Sequence, residues 1–235
     1  MRSPDALPVA LETGAATTAL VYEAHRSATA EAIPNVTLIL GHGAGAGQRS
    51  PFIVAIAHAL AAYGLDIVTF NFPYTEQGRR MPDRAPVLES CYRAVIHAVR
   101  EHVDSARQTL VIGGKSMGGR IATHVAAADK ALPVAGVVLL GYPLHPAGRP
   151  DQRRDAHLPA VARPMLFVQG SRDALGLPAE LMPVIERIVP APTIHVVEGG
   201  DHSFTLPGRN PSDQAAALTE VHAAIVAWVR LTFRG

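Results

Sequence analysis

A serine framed by glycines stands at Gly114-Lys115-Ser116-Met117-Gly118, after an apolar run that ends at Ile112 and before a helical pattern that begins at Met117. The spacing matches G-x-S-x-G, in which a serine sits on a strained strand-to-helix turn and small neighbours let adjacent backbone approach closely. Such a turn exposes the hydroxyl above a sheet. It also puts the Met117 N–H at the start of a helix, where it can donate to an oxyanion. A serine hydroxyl becomes a useful nucleophile only when a base takes its proton and an acid orients that base.

In an open parallel sheet these partners must come from loops at the carboxyl ends of strands, because the turn opens on that edge. Of the eleven histidines, His58, His97, His102, His124 and His222 fall in helical patterns and His195 lies inside a strand. His202 satisfies the filter, in the loop Gly199-Gly200-Asp201-His202-Ser203 after the strand that ends at Val197. Asp173 satisfies it as well, where Phe167-Val168-Gln169-Gly170-Ser171-Arg172-Asp173 leaves the preceding strand. The chain order Ser116, Asp173, His202 is that of a nucleophile, an acid and a base. Glu198 and Asp201 are too close to His202 in the same loop to orient it and read as surface or capping residues. The loop Gly41-His42-Gly43-Ala44-Gly45-Ala46-Gly47 can supply the second oxyanion donor, from Ala44 or Gly45 paired with Met117. His42 reads as a residue that orients this loop.

Two phosphate-binding motifs compete for the same letters and fail on context. Gly114-Lys115-Ser116 resembles the end of a P-loop, but Thr109 stands where its first glycine should be and the apolar Leu110-Val111-Ile112 replaces the loop. Gly41-His42-Gly43-Ala44-Gly45-Ala46 fits a dinucleotide fingerprint, yet Gln48, Arg49 and Ser50 intervene before the helix. The next strand ends Phe70-Asn71-Phe72-Pro73, without the acidic residue that holds a ribose. Nothing in the sequence calls for a cofactor or a metal.

The elements that must hold these residues are legible as alternating runs. Val36 to Leu40, Ile67 to Phe70, Leu110 to Ile112, Val134 to Leu140, Met165 to Val168 and Ile194 to Val197 are apolar on both faces, as strands covered by helices are. Pro34 bounds the first of them, and Thr17 to Glu23 predicts an edge strand. Helices are expected from Pro51, capped by Ser50, to Gly64, then over 86–103, 117–130 and 178–188, with a last one from Ser212 to the end. The pattern predicts one α/β domain over residues 1–235, a doubly wound and mostly parallel sheet with helices on both faces. The connection from Gly141 to Pro164 is too short to hold a further domain.

The chain has 235 residues, 48% hydrophobic and 17% charged, with a net charge of +1. That balance lacks the field that gathers nucleic acid. The most apolar stretch, 132–144, is short and broken by Pro133, Gly136, Gly141 and Pro143, so no membrane partner is expected. Cys91, the single cysteine, excludes an intrachain disulfide, and its spacing with Leu88, Val95 and Val99 marks it as a small core residue. Without a signal-peptide pattern at the amino terminus, a cytoplasmic address is the expectation.

Together the H-G loop, the G-x-S-x-G turn, the G-S-x-D turn and the G-x-H loop resemble the α/β-hydrolases over essentially the whole chain. Phe70-Asn71-Phe72-Pro73-Tyr74, Gly78-Arg79-Arg80 and Gly113-Gly114-Lys115-Ser116-Met117-Gly118-Gly119-Arg120 are similar to a narrower branch of small dienelactone-hydrolase-like proteins. That branch includes a vertebrate testis-expressed protein and a subunit of a chromatin-modifying complex. The resemblance implies a capless serine hydrolase acting on a small ester or thioester, although dienelactone hydrolases themselves use a cysteine where this chain has Ser116. The alternatives are a small peptidase of the same fold and a non-catalytic scaffold. Tyr74, Arg79, Arg80, Arg153 and Arg154 are expected at the rim of the site, where the arginines would attract an anionic substrate or partner unless surface ion pairs occupy them.

Overall fold

The computed structural model describes residues 2–25 and 35–233. Pro34, expected to bound the first central strand, lies outside the described residues, as do the two ends of the chain. The strands are β1 (Asp5–Ala10), β2 (Ala16–Tyr22), β3 (Val36–Gly41), β4 (Asp66–Phe70), β5 (Thr109–Lys115), β6 (Gly136–Leu140), β7 (Met165–Gly170) and β8 (Thr193–Val197). They form one sheet in the order β1-β2-β4-β3-β5-β6-β7-β8. β1 and β2 run antiparallel, and every pairing from β4–β3 to β7–β8 is parallel.

The helices are α1 (Pro51–Ala62), α2 (Pro73–Glu76), α3 (Ala85–His102), α4 (Asp104–Gln108), α5 (Met117–Ala128), α6 (Pro178–Ile185) and α7 (Pro211–Thr232). One core joins Leu88, Tyr92, Val95 and Val99 of α3 to Ile121 and Val125 of α5 and to Ile39, Ile112 and Phe167 of the sheet. The other joins Ile56 and Leu60 of α1 to Val221, Ile225 and Trp228 of α7 and to Leu38, Val111 and Val168. Alternate residues of each central strand thus serve opposite layers, which is why those strands read as continuous apolar runs. By length and composition alone α7 could cross a bilayer; here its apolar face closes the second core.

Several expectations need correction. Thr17 to Glu23 is not the edge: β2 lies between β4 and an outer strand, β1. β1 carries Pro8, which a strand tolerates only where its missing N–H faces no neighbour, and mainly Val9 turns inward. Ser50 occupies the cap position of α1 but its side chain makes no capping bond, so Pro51 in the first turn sets that helix start. The last helix begins at Pro211, one residue before Ser212, because the Asn210 side chain accepts from Asp213 N. α6 ends at Ile185, short of the expected residue 188. The connection between β6 and β7 holds only a 3-10 turn, Leu158–Ala160.

Ile39 of β3 and Gly113 of β5 are bound together through Tyr92. Its hydroxyl, fully buried, lies 2.6 Å from Gly113 O and 3.1 Å from Ile39 O, and accepts from Gly113 N at 3.0 Å. We expect Tyr92→Phe to strand these strand-end groups in an apolar layer and to lower unfolding free energy by about 1–3 kcal/mol. The shift in urea midpoint measures it.

Candidate active site

The strand order reverses around β3, so the loops after β3 and β5 open into one crevice at the carboxyl edge of the sheet. Ser116 stands at the tip of the second loop with φ 51° and ψ −114°, a conformation that costs a non-glycine residue about 1–3 kcal/mol. Its N–H donates to Leu140 O at 3.0 Å, and its carbonyl accepts from Arg120 N at 3.0 Å, the first turn of α5. The glycines of the motif are required by contact. A Cβ on Gly118 would lie 2.2 Å from Gly41 O, and one on Gly114 would lie 2.3 Å from the same oxygen. The turn is therefore pressed against the end of β3, which no side chain at either position would permit.

Asp173, His202 and Ser116 form a continuous hydrogen-bonded row. His202 Nδ1 is 2.8 Å from Asp173 Oδ2, and His202 Nε2 is 2.9 Å from Ser116 Oγ. Asp173 is fully buried, and its other oxygen accepts from Leu175 N at 2.8 Å. This tautomer, Nδ1–H toward the carboxylate, leaves Nε2 free to accept the serine proton. The arrangement can therefore deprotonate Ser116 and return the proton to a leaving group.

The acid and histidine loops cross in contact. A Cβ on Gly170 would lie 2.3 Å from Gly200 O, and Arg172 N donates to Gly200 O while Ser171 N donates to Val197 O. Glu198 accepts from the Ser171 hydroxyl at 3.0 Å, and Gly199 N donates to that hydroxyl at 2.8 Å. Glu198 is thus engaged in joining the loops. Asp201 accepts from Ser203 N and Thr205 N within its own loop.

His42 is fully buried, and burial holds it below the ordinary imidazole range. Its Nε2 accepts from Phe72 N at 3.2 Å, so Nδ1 carries the proton and donates to Gly43 O at 2.9 Å. The neutral ring fixes the Gly41–Gly47 loop against the end of β4. Ala46 N closes a turn onto Gly43 O, with Gly45 at φ 72°. A Cβ on Gly43 would be 3.7 Å from the Cβ of Ser116; Ala44, the next residue, lines the same space.

That space is a cavity of about 620 Å³ lined by Ala44, Pro51, Phe52, Ile53, Leu175 and the face of His202, among others. The expected rim residues are elsewhere. Tyr74 is buried, its ring edge-on to His42, because the short helix α2 turns it into the core. Arg79 pairs with Asp83 at 2.6 Å and Arg153 with Asp155 at 2.8 Å, the surface ion pairs that were the alternative. None of Arg79, Arg80, Arg153 and Arg154 lines the cavity at Ser116. Cys91 is buried in the α3 layer, its thiol pushed up to about 12 chiefly by burial. Among the described residues no group of three or more His, Cys, Asp or Glu is assembled to hold a metal.

Over residues 34–230 the chain matches the alpha/beta hydrolase domain family, and it belongs to that family. Among solved structures it is similar to an α/β serine hydrolase without lid from Xanthomonas campestris, at 21% identity and a TM-score of 0.74, over 100% of this chain and 97% of that one. A dienelactone hydrolase from Anabaena variabilis matches at 21% identity and TM-score 0.73, over 99% of this chain and 100% of that one. The esterase domain of a Rhodothermus marinus protein matches at 15% identity and TM-score 0.69, over 98% of each. These likenesses establish the α/β-hydrolase fold.

The sequence reading overlooked Gln169. Fully buried at the end of β7, its amide donates to Asp173 Oδ2 at 2.7 Å and Gly176 O at 2.8 Å, and its oxygen accepts from Tyr142 N at 2.8 Å. The available signal was a polar residue closing the apolar run Met165 to Val168. We expect Gln169→Leu to destabilise the fold by about 1–3 kcal/mol, read by thermal unfolding, and to broaden the His202 Nδ1–H proton resonance through a loosened Asp173.

Proposed function

We propose that this protein is a serine hydrolase that cleaves carboxylic esters or thioesters of small, neutral acyl groups. The hydrogen-bonded row from Asp173 through His202 to Ser116, at 2.8 Å and 2.9 Å, is the observation that carries the reading. Ser116 Oγ adds to the scissile carbonyl as its proton passes to His202 Nε2, and Asp173 steadies the imidazolium. The N–H groups of Met117 and Ala44 receive the oxyanion. Ala44 is favoured over Gly45 because Gly43 abuts Ser116 and Ala44 borders the cavity, whereas Gly45 does not. Collapse breaks the bond to the leaving group, which takes the proton from His202. Water, deprotonated by the same nitrogen, then releases the acid and regenerates Ser116.

The lining of Pro51, Phe52, Ile53 and Leu175 supports an apolar acyl group; Lys115 is also in the lining but its Nζ is shielded from solvent, and Arg79 and Arg153, two of the arginines that would favour an anionic group, are paired away from the cavity. The motifs at 70–74, 78–80 and 113–120 support assignment to the small dienelactone-hydrolase-like branch.

A fluorophosphonate probe should label the wild-type protein and leave Ser116→Ala unlabelled; equal labelling of both would overturn the assignment of the nucleophile. His202→Ala should slow labelling by about 10³-fold or more. Among p-nitrophenyl esters, a butyrate should be hydrolysed at least about tenfold faster than its ω-carboxylated analogue, since an unpaired carboxylate in an apolar pocket is costly.

A further inference from the structure

Lys115, between the first glycine and the serine of the turn, has no part in the chemistry above. Its side chain crosses from β5 toward the histidine loop and is 8% exposed. Among the described residues its Nζ, itself shielded from solvent, has no hydrogen-bond partner. A buried unpartnered ammonium is costly to the fold, so its position needs another explanation than stability.

The surroundings supply one. Gly141, at φ 64°, closes the space on the far side of His202: a Cβ there would lie 3.0 Å from Lys115 Nζ, 3.3 Å from His202 Nδ1 and 2.9 Å from His202 O. Lys115 Nζ and His202 Nδ1 therefore flank the same point beside Gly141. The ammonium also stands over the ring of Phe204, 5.9 Å from the centroid. Phe204 is fully buried and held at φ 61°, a left-handed backbone that a bulky residue rarely adopts. Asp173, in the loop after β7, and Asp201, in the loop after β8, are the acidic groups whose charges favour the ammonium, and His202 shares its place beside Gly141. From α1 the contact is the apolar ring of Phe52 against Phe204.

We propose that Lys115 is a positioning residue for His202: its ammonium is a strut from the nucleophile strand to the histidine loop, set beside Gly141 and the Phe204 ring, and it holds the imidazole over Ser116. The inference rests on the hydrolase reading given above. One covalent segment then carries both the nucleophile and the group that places its base.

Burial lowers Lys115 from the ordinary 10.5 to about 8, with Asp173 and Asp201 opposing the shift. Between those values the unfolded chain binds more protons than the folded one, so the cost of burying the charge is full at pH 7 and is relieved as pH rises from about 8 toward 10.5. A lysine kept for stability and a lysine kept for positioning are thereby separable.

The test measures fluorophosphonate labelling rates of Ser116 from pH 6 to 10, and melting temperatures, for wild type and Lys115→Met. The wild-type rate should fall above pH ~8 as the strut loses its charge. Lys115→Met should label on the order of 10- to 100-fold more slowly at pH 7, the effect of a misplaced catalytic group, and lack that alkaline fall. It should also melt about 2–4 °C or more higher at pH 7, the gain shrinking toward pH 10. A wild-type rate flat through pH 10, or a variant that labels normally, overturns the role of Lys115 while leaving the hydrolase reading intact. A variant that melts lower or fails to fold makes the lysine structural and overturns it too. A wild type whose Ser116 is never labelled sinks the hydrolase reading and this inference with it.

Discussion

The structure depends on one close approach of backbone to backbone. Gly118 and Gly114 press the turn after β5 onto Gly41 at the end of β3, at distances where a Cβ would lie 2.2–2.3 Å from the Gly41 carbonyl oxygen. This contact holds Ser116 at φ 51°, since the residue must pass from a strand into a helix without leaving the sheet edge. The strain of that single residue is offset by what surrounds it: the Leu140 carbonyl on its N–H, the first turn of α5 on its carbonyl, and Tyr92 tying Gly113 to β3. Two large apolar layers fix β3 and β5 side by side, so the cost is spread over the whole core.

The same economy of space governs the acid and histidine loops. Gly170 lets the chain after β7 pass under Gly200, and the Ser171, Glu198 and Gly199 bonds join the two loops before either reaches its functional residue. Asp173 and His202 are then set by short excursions from a shared junction. Gln169 closes the acid from below, and His42, neutral and buried, closes the Gly41–Gly47 loop from the side. Asp173 and the Gly41–Gly47 loop are thus each held by neutral side-chain or backbone partners. Lys115 stands apart as a buried cation with no hydrogen-bond partner among the described residues.

The central strands and the residues of the row were legible in the sequence because both depend on short-range signals. Apolar runs bounded by glycine or proline mark strands buried on both faces, and Ser116, Asp173 and His202 are each announced by the glycine-rich turn beyond a strand. Less visible was whatever a short element decided. α2 has four residues, Pro73–Glu76, too few for any periodicity, yet it turns Tyr74 from the expected rim into the core. β1 carries Pro8 and only one well-buried apolar residue, so nothing in its pattern identified it as the true edge. The arginines were visible as letters, but their pairing with Asp83 and Asp155 depends on local loop geometry. Gln169 and Lys115 were hidden for another reason: each looks like an exception in an apolar stretch until the groups it faces, from distant parts of the chain, are brought beside it.

The central claim is that Ser116 carries an acyl group through catalysis. Mixing the protein with p-nitrophenyl butyrate and following nitrophenol release on the millisecond scale, with acid quench and peptide mapping, tests it directly. The account expects a burst approaching one equivalent per chain when deacylation is the slower step, and a butyryl group on the peptide that contains Ser116. Hydrolysis that persists in Ser116→Ala, or an acyl group found on another residue, would contradict it.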